Sequence, residues 1–168
     1  MSADQATHKQ TNPWFAAACV IGVVHAVPSL YWAAGGDLLL RTVGEWAVRW
    51  RHEAPVESAI TLAVAGLMKI VGAVLPFLIR HGLGSRTQVV LTALMWVAAT
   101  GMLVWGTVNA VGAWLVIGGL FAMHDTAGTY GHAVLWDPLF VLWGIVLIIG
   151  LRRDGVERRS GFSGRTAS

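Results

Sequence analysis

The sequence predicts an all-α integral membrane protein, a four-helix bundle with an amphipathic interfacial helix in its first outer loop. Three observations lead there. Hydrophobic residues make up 55% of the 168 and charged residues only 12%, where a typical soluble domain has about 45–50% and about 25%; so few charges cannot cover a water-facing surface. Four apolar runs are each long enough, at about 1.5 Å per residue, to cross a hydrocarbon core of about 30 Å. Arginine and lysine collect at alternate ends of those runs, as the positive-inside rule requires of a multi-pass protein. The nine tryptophans agree, since indole is enriched where hydrocarbon meets headgroups.

Residues 1–13 read as a polar cytoplasmic tail, expected to be disordered. The first span covers about 14–34 and carries no formal charge. A cleaved signal peptide is disfavoured, because its basic region would hold only Lys9 and its apolar stretch is too long. The second span covers about 56–79, interrupted only by Lys69, the third about 88–106 and the fourth about 132–151. Residues 152–168 form a basic cytoplasmic tail, again expected to be disordered. Gly66 and Gly72, with Ala63 and Ala73, give the second span small residues for close packing.

Residues 107–123 are also largely apolar, and a fifth crossing has to be weighed. Four spans place Lys9, Arg80, Arg86, Arg152, Arg153, Arg158, Arg159 and Arg165 inside, and only Arg41, Arg49 and Arg51 outside. A fifth crossing would strand the five C-terminal arginines on the wrong side. The segment therefore reads as an extension of the third helix followed by an interfacial or re-entrant piece. The same count puts both termini on the cytoplasmic side of the cell membrane.

The first outer loop has its own pattern. From Asp37 to His52, the residues Leu39, Val43, Trp46, Ala47 and Trp50 fall on one helical face, and Arg41, Glu45 and Arg49 follow at four-residue spacing. This predicts a helix lying in the interface, covering the bundle or meeting a partner. Pro55 separates it from the second span.

Ionisable side chains inside a span are costly and usually face the bundle interior, so each is a candidate for function. Lys69 lies near the middle of the second span. It either snorkels or pairs structurally, or it serves as counter-ion to a substrate, proton or ligand. His25 lies about two-thirds along the first span, with Ser29 one turn on and Pro28 between them freeing the carbonyl of Val24. A buried interhelical hydrogen bond is the plain role for His25, and ligand binding or proton relay the sharper one. Asp137 precedes Pro138, which suits an N-cap with proline at the first helical position; the alternative is a carboxylate paired with Lys69 or His25.

Nearby, His124, Asp125, Thr126, Tyr130 and His132 share the outer side with Asp37, His52, Glu53 and Glu57. His124, Asp125 and His132 are weak metal candidates, because no compact ligand spacing such as an i, i+4 histidine pair occurs. Haem between His25 and His132 would need the two at similar depth, which their positions disfavour. Cys19 stands alone, so no intramolecular disulfide forms. No GxSxG, P-loop, dinucleotide-binding or HExxH pattern occurs, and an enzyme is the less favoured class. The net charge of +3 is spread along span flanks rather than in a patch, which excludes a nucleic-acid partner.

Two stretches are distinctive: His25-Ala26-Val27-Pro28-Ser29-Leu30-Tyr31-Trp32-Ala33-Ala34-Gly35-Gly36, and Leu135-Trp136-Asp137-Pro138-Leu139-Phe140-Val141-Leu142-Trp143-Gly144. Together they resemble a bacterial family of small four-helix membrane proteins classified as a domain of unknown function, with YWAxGG-like and WDPxFxLWG-like motifs. The resemblance covers about Trp14 to Leu151. It implies four spans and brings no reaction. It singles out His25, Tyr31, Trp32, Gly35, Gly36, Trp136, Asp137, Pro138 and Trp143, and leaves Lys69 outside the pattern.

The reading is thus an accessory or small-ligand-binding membrane protein with a polar site in the outer half of the bundle, its candidates being His25, Ser29, Tyr31, Lys69, His132 and Asp137. Two other classes stay open: a proton-coupled transporter or transporter subunit, and a redox protein binding haem or quinone. No cofactor is specified. The expected partners are the lipid bilayer and a second copy or a membrane-complex subunit.

Overall fold

The computed structural model describes residues 12–80 and 85–163; the expected disorder of the first eleven residues falls outside them. Helix α1 (Pro13–Ala33) starts at Asn12, whose Oδ1 accepts the amide of Trp14 at 3.1 Å, with Pro13 in the first turn where an amide would have no partner. Asn12 is buried and also donates to the carbonyl of Gly150 at 3.1 Å, tying this end of α1 to the last helix. The other end closes in a Schellman cap: the amide of Gly36 reaches Tyr31 at 3.0 Å and that of Gly35 reaches Trp32 at 3.1 Å. Gly35 sits at φ 103°, where a side chain is strained, and a Cβ on Gly36 would enter the Tyr31 ring. The Tyr-Trp-Ala-Ala-Gly-Gly stretch is a helix stop.

The loop that follows holds a 3₁₀ turn (Leu40–Thr42) and α2 (Glu45–Glu53). The amphipathic helix expected over Asp37 to His52 is therefore broken. Leu39 is left-handed at φ 62° and Gly44 sits at φ 135°, so the regular spacing cannot continue through them. Leu40 and Ala47 are the buried apolar side chains of this segment, while Leu39 and Trp46 are exposed. Trp46 stacks on Trp50 with ring centroids 6.3 Å apart.

Next come α3 (Pro55–Arg80), α4 (Ser85–Ile117), the short α5 (Thr126–Gly131), a π-helical turn (His132–Trp136) and α6 (Asp137–Ser163). Four stretches are long and apolar enough to span a membrane: Pro13–Ala33, Pro55–Phe77, Arg86–Ile117 and Thr126–Val156. The third is longer than expected. Its helix runs unbroken for 33 residues, about 50 Å at the standard rise, so the extension is helical. After it the chain turns at Gly119, with φ 83°, and reaches α5 without a fifth span. The basic tail expected to be disordered from residue 152 is instead the continuation of α6 to Ser163, in a stretch rich in arginine, a strong helix former.

Helix α1 packs against α3 and α6, and α6 packs in turn against α4; α3 and α4 hardly touch. The order of contact is thus α3, α1, α6, α4. The core cluster joins Phe15 and Ala18 of α1, Ala73 of α3, Met95 and Ala99 of α4, and Trp143, Leu147 and Leu151 of α6. Small residues make these approaches possible, as close helix packing in hydrocarbon requires. A Cβ on Gly22 would lie 2.5 Å from Trp143 and 2.7 Å from the Cβ of Ala73, and one on Gly144 would lie 2.7 Å from the Ala99 carbonyl. Gly66 faces Leu30 of α1 in the same way. Three of the nine tryptophans are buried, Trp143 in the core of the bundle and Trp32 and Trp136 under the loop at its end. Large apolar side chains on the outside, such as Val20, Ile60, Val97 and Trp105, are exposed, the inverse of a soluble protein's pattern.

Replacing Gly22 by Val should cost about 2 kcal/mol through overpacking, whereas Gly101→Ala, with nothing within 4 Å of its Cβ, should leave stability unchanged. Reversible unfolding in mixed micelles by titration with a denaturing detergent measures both, and equal stability of the two variants would contradict this packing.

Candidate functional site

His25 is 4% exposed and faces α6. Trp136, Phe140 and Trp143 stand at i, i+4 and i+7 on that helix, one continuous face, and their ring centroids lie 6.1, 4.0 and 6.5 Å from the imidazole. Neither ring nitrogen of His25 has a hydrogen-bond partner, and neither has the buried Nε1 of Trp143. The interhelical hydrogen bond expected of His25 is therefore absent. Buried polar atoms are nearly always paired, so an imidazole and an indole left without partners near each other mark this spot.

Lys69 enters from α3. Its Nζ donates to Ser29 Oγ at 2.9 Å and approaches the carbonyl of His25 at 3.4 Å, and it stands 5.8 Å from the Phe140 ring centroid. Pro28 disturbs the ladder of α1, but the carbonyl that receives an outside donor belongs to His25 rather than Val24. Among the described residues no carboxylate pairs with Lys69: Asp137, one expected partner, is held elsewhere. Beyond Lys69 the separation of α3 from α4 opens a cleft of about 310 Å³. Met68, Leu94, Met95, Met102, Phe140 and Trp143 are among its walls, and among the described residues Lys69 carries the one charge in its lining. His25, Ser29 and Lys69 thus come together, and Lys69 joins them to the apolar cleft, whose lining holds Lys69, Phe140 and Trp143.

The second polar group lies at the end of the bundle that carries α2 and α5. Asp137 does not cap a helix start. Its backbone is helical (φ −76°, ψ −39°) and the chain passes into α6 through the π-turn. Proline has no amide, and in the i→i−5 pattern of a π-turn Pro138 leaves the carbonyl of Ala133 without a donor. Trp114 Nε1 supplies one from α4 at 3.2 Å. The widened turn also brings residues five apart onto one side, so His132 Nδ1 meets Asp137 Oδ2 at 2.8 Å, and His132 Nε2 meets the Val43 carbonyl at 3.1 Å. Asp137 is 1% exposed.

Around that pair, the motif residues lock the loop. Trp136 Nε1 donates to the carbonyl and hydroxyl of Thr42 at 3.0 and 3.1 Å, Trp32 Nε1 donates to Leu38 at 2.8 Å, and the two indoles meet edge to face at 5.4 Å. Asp125 accepts the amides of Gly128 (2.9 Å) and Glu45 (2.7 Å), joining α5 to α2. These two amides, Gly128 first, hold its carboxyl below the usual carboxylate value. The link is therefore strongest above that value and is lost as the pH falls through the lower one. With Asp125 and His132 so occupied and His124 exposed, the three weak metal candidates do not converge; among the described residues no group of three or more His, Cys, Asp or Glu is placed to hold a metal ion. Tyr31 is 45% exposed and covers Gly36, apart from His25.

Arg51 was not among the residues that the sequence singled out. Its guanidinium donates to the carbonyls of Trp32, Gly35 and Gly36, the negative end of α1, where a cation is favoured. Arg51 lies in the last turn of α2, far along the chain from the α1 end it caps, so the sequence carried no local signal for it. Phe140 was likewise missed as a neighbour of His25, though its spacing from Trp136 and Trp143 put all three on one face.

Removing one partner of the buried pair should be worse than removing both. His132→Ala should lower stability by about 2 kcal/mol, and His132→Ala with Asp137→Leu should recover part of that loss. Detergent-induced unfolding of the two variants checks this, and additive losses would refute the pairing.

Comparison with characterised proteins and with solved structures finds no match. Residues 22–147, which include α1 from Gly22 onward, the loop, α3, α4 and the face of α6 against His25, match the family described as protein of unknown function (DUF3995), and the chain belongs to that family.

Proposed function

We propose that this integral membrane protein binds a small apolar ligand from within the bilayer, through the cleft between α3 and α4, and holds its polar end at Lys69, which Ser29 and His25 position from behind. The observation that carries the reading is the coincidence of an apolar cleft with Lys69 in its wall and a buried imidazole with no partner behind it. Sites of this kind are mostly apolar with a few placed polar groups, and a volume of about 310 Å³ suits a small molecule. The polar site lies deeper than the outer rim, near the middle of α3. The loop end, with its locked tryptophans, closes the bundle above it.

The walls also indicate how a ligand arrives. Met68 is 70% exposed and Leu94 is 55% exposed, so the mouth faces lipid rather than water in a membrane. Methionine adapts to irregular apolar shapes. Mass spectrometry of the protein taken from membranes in mild detergent should show a bound small molecule, and Ala98→Phe, which puts a ring into the cleft, should abolish it while the protein stays monodisperse. A wild-type protein with no adduct, or an adduct kept by Ala98→Phe, would overturn the reading.

The membrane is the cytoplasmic membrane and the basic ends face the cytoplasm. Support comes from the sequence count of basic residues flanking the spans, with Lys9, Arg80, Arg86, Arg152, Arg153, Arg158, Arg159 and Arg165 at one end against only Arg41, Arg49 and Arg51 at the other. In a Cys19→Ser background, Trp46→Cys should react with an impermeant maleimide in intact cells and Arg153→Cys should not. The reverse pattern would invert the topology.

A further inference from the structure

Resting on the ligand-binding reading above, we propose that the ligand is a single-chain amphiphile with a carboxylate head, a fatty acid or a molecule of that form. Its head meets Lys69 and its chain lies along the cleft between α3 and α4. Charge comes first. Lys69 lies mid-span, where a charged side chain is expensive unless it is paired. The partners it has, the Ser29 hydroxyl and the His25 carbonyl, are dipoles and carry no countercharge. Among the described residues no carboxylate pairs with Lys69, and no other charged residue lines the cleft. One cation asks for one negative charge. A monoanion satisfies it, whereas a dianionic phosphate head would bring a second, uncompensated charge into hydrocarbon.

Shape narrows the class further. The cleft separates two helices and its volume is about 310 Å³, room for one alkyl chain rather than the two of a phospholipid. Its walls beyond Lys69 are Met68, Leu75, Leu94, Met95 and Met102, which offer a tail no polar group. At the head, the Lys69 ammonium in the cleft lining is a donor, so the missing group is an acceptor, and hydrogen bonds between an ammonium and an ionised acceptor are the stronger kind.

The chemistry separates an acid from its alcohol. The full-length protein in phosphatidylcholine nanodiscs would be incubated with a 16-carbon fatty acid bearing a diazirine in its tail, and in parallel with the matching alcohol, then irradiated and mapped by peptide mass spectrometry. The acid should label the peptides holding Met68, Leu94, Met95 and Met102. Lys69→Met should lower its apparent affinity about tenfold or more, Lys69→Arg should retain most of it, and the alcohol should bind more weakly and ignore the change at Lys69. Equal labelling by acid and alcohol, with no effect of Lys69→Met, would overturn the carboxylate assignment and leave a ligand-binding cleft standing. Labelling confined to the outer lipid-facing surface, by both probes, would overturn the cleft reading as well. The stability of each variant in the nanodisc, followed by thermal unfolding, separates lost binding from lost folding.

Discussion

A missing amide organises one end of this protein. Pro138 cannot donate, and a regular helix through it would leave a carbonyl stranded in hydrocarbon, where nothing outside the protein can pair with it. The chain answers with a π-turn, and Trp114 from α4 reaches the carbonyl of Ala133. The contacts of residues 132–137 with the first loop go with the wider turn. It sets His132 against Asp137, directs His132 to the Val43 carbonyl, and lets Trp136 reach Thr42. π-turns inside α-helices are often found at functional positions, and here one joins the last helix to the first loop.

The pairing of the helices decides what the interior can do. The close contacts of α1 with α3 and of α4 with α6 leave α3 without close contact to α4. In water such a gap would collapse or be hydrated. In a bilayer, acyl chains can lie against it at little cost, because lipid tails are as apolar as the side chains. A cleft open to lipid is therefore a stable feature of the fold, and Lys69 at its inner end gives it polarity in one place only. His25 behind it is enclosed by three aromatic rings, and neither of its nitrogens makes a well-formed hydrogen bond.

The two polar groups have different characters. At the loop end, His132, Asp137, Asp125 and Arg51 are each bonded to a partner, and their chemistry is spent on holding α2, α5 and the cap of α1 in place. At the centre, Lys69 and His25 are under-bonded. Fully satisfied networks rigidify a structure, while partly satisfied ones are costly unless something completes them. The contrast separates residues that build the bundle from those left available to a ligand.

The sequence by itself determined the membrane class, the number of crossings and the positions of the charged candidates. Composition and run length depend only on which residues are present, and arginine placement was enough to read residues 107–123 as an extension of the third helix with a further piece rather than a fifth crossing; that the helix ends at Ile117 came from the structure. His25, Ser29 and Lys69 were visible as polar groups in apolar runs. Only the tertiary structure decided their company. The partner of Asp137 depended on a π-turn that shifts the facing position from i+4 to i+5, which periodicity does not anticipate. The break at Leu39 and Gly44 depended on loop geometry, so the amphipathic spacing misplaced the buried face. The cleft came from two helices that do not meet, and no single helix carries the signature of a neighbour it lacks.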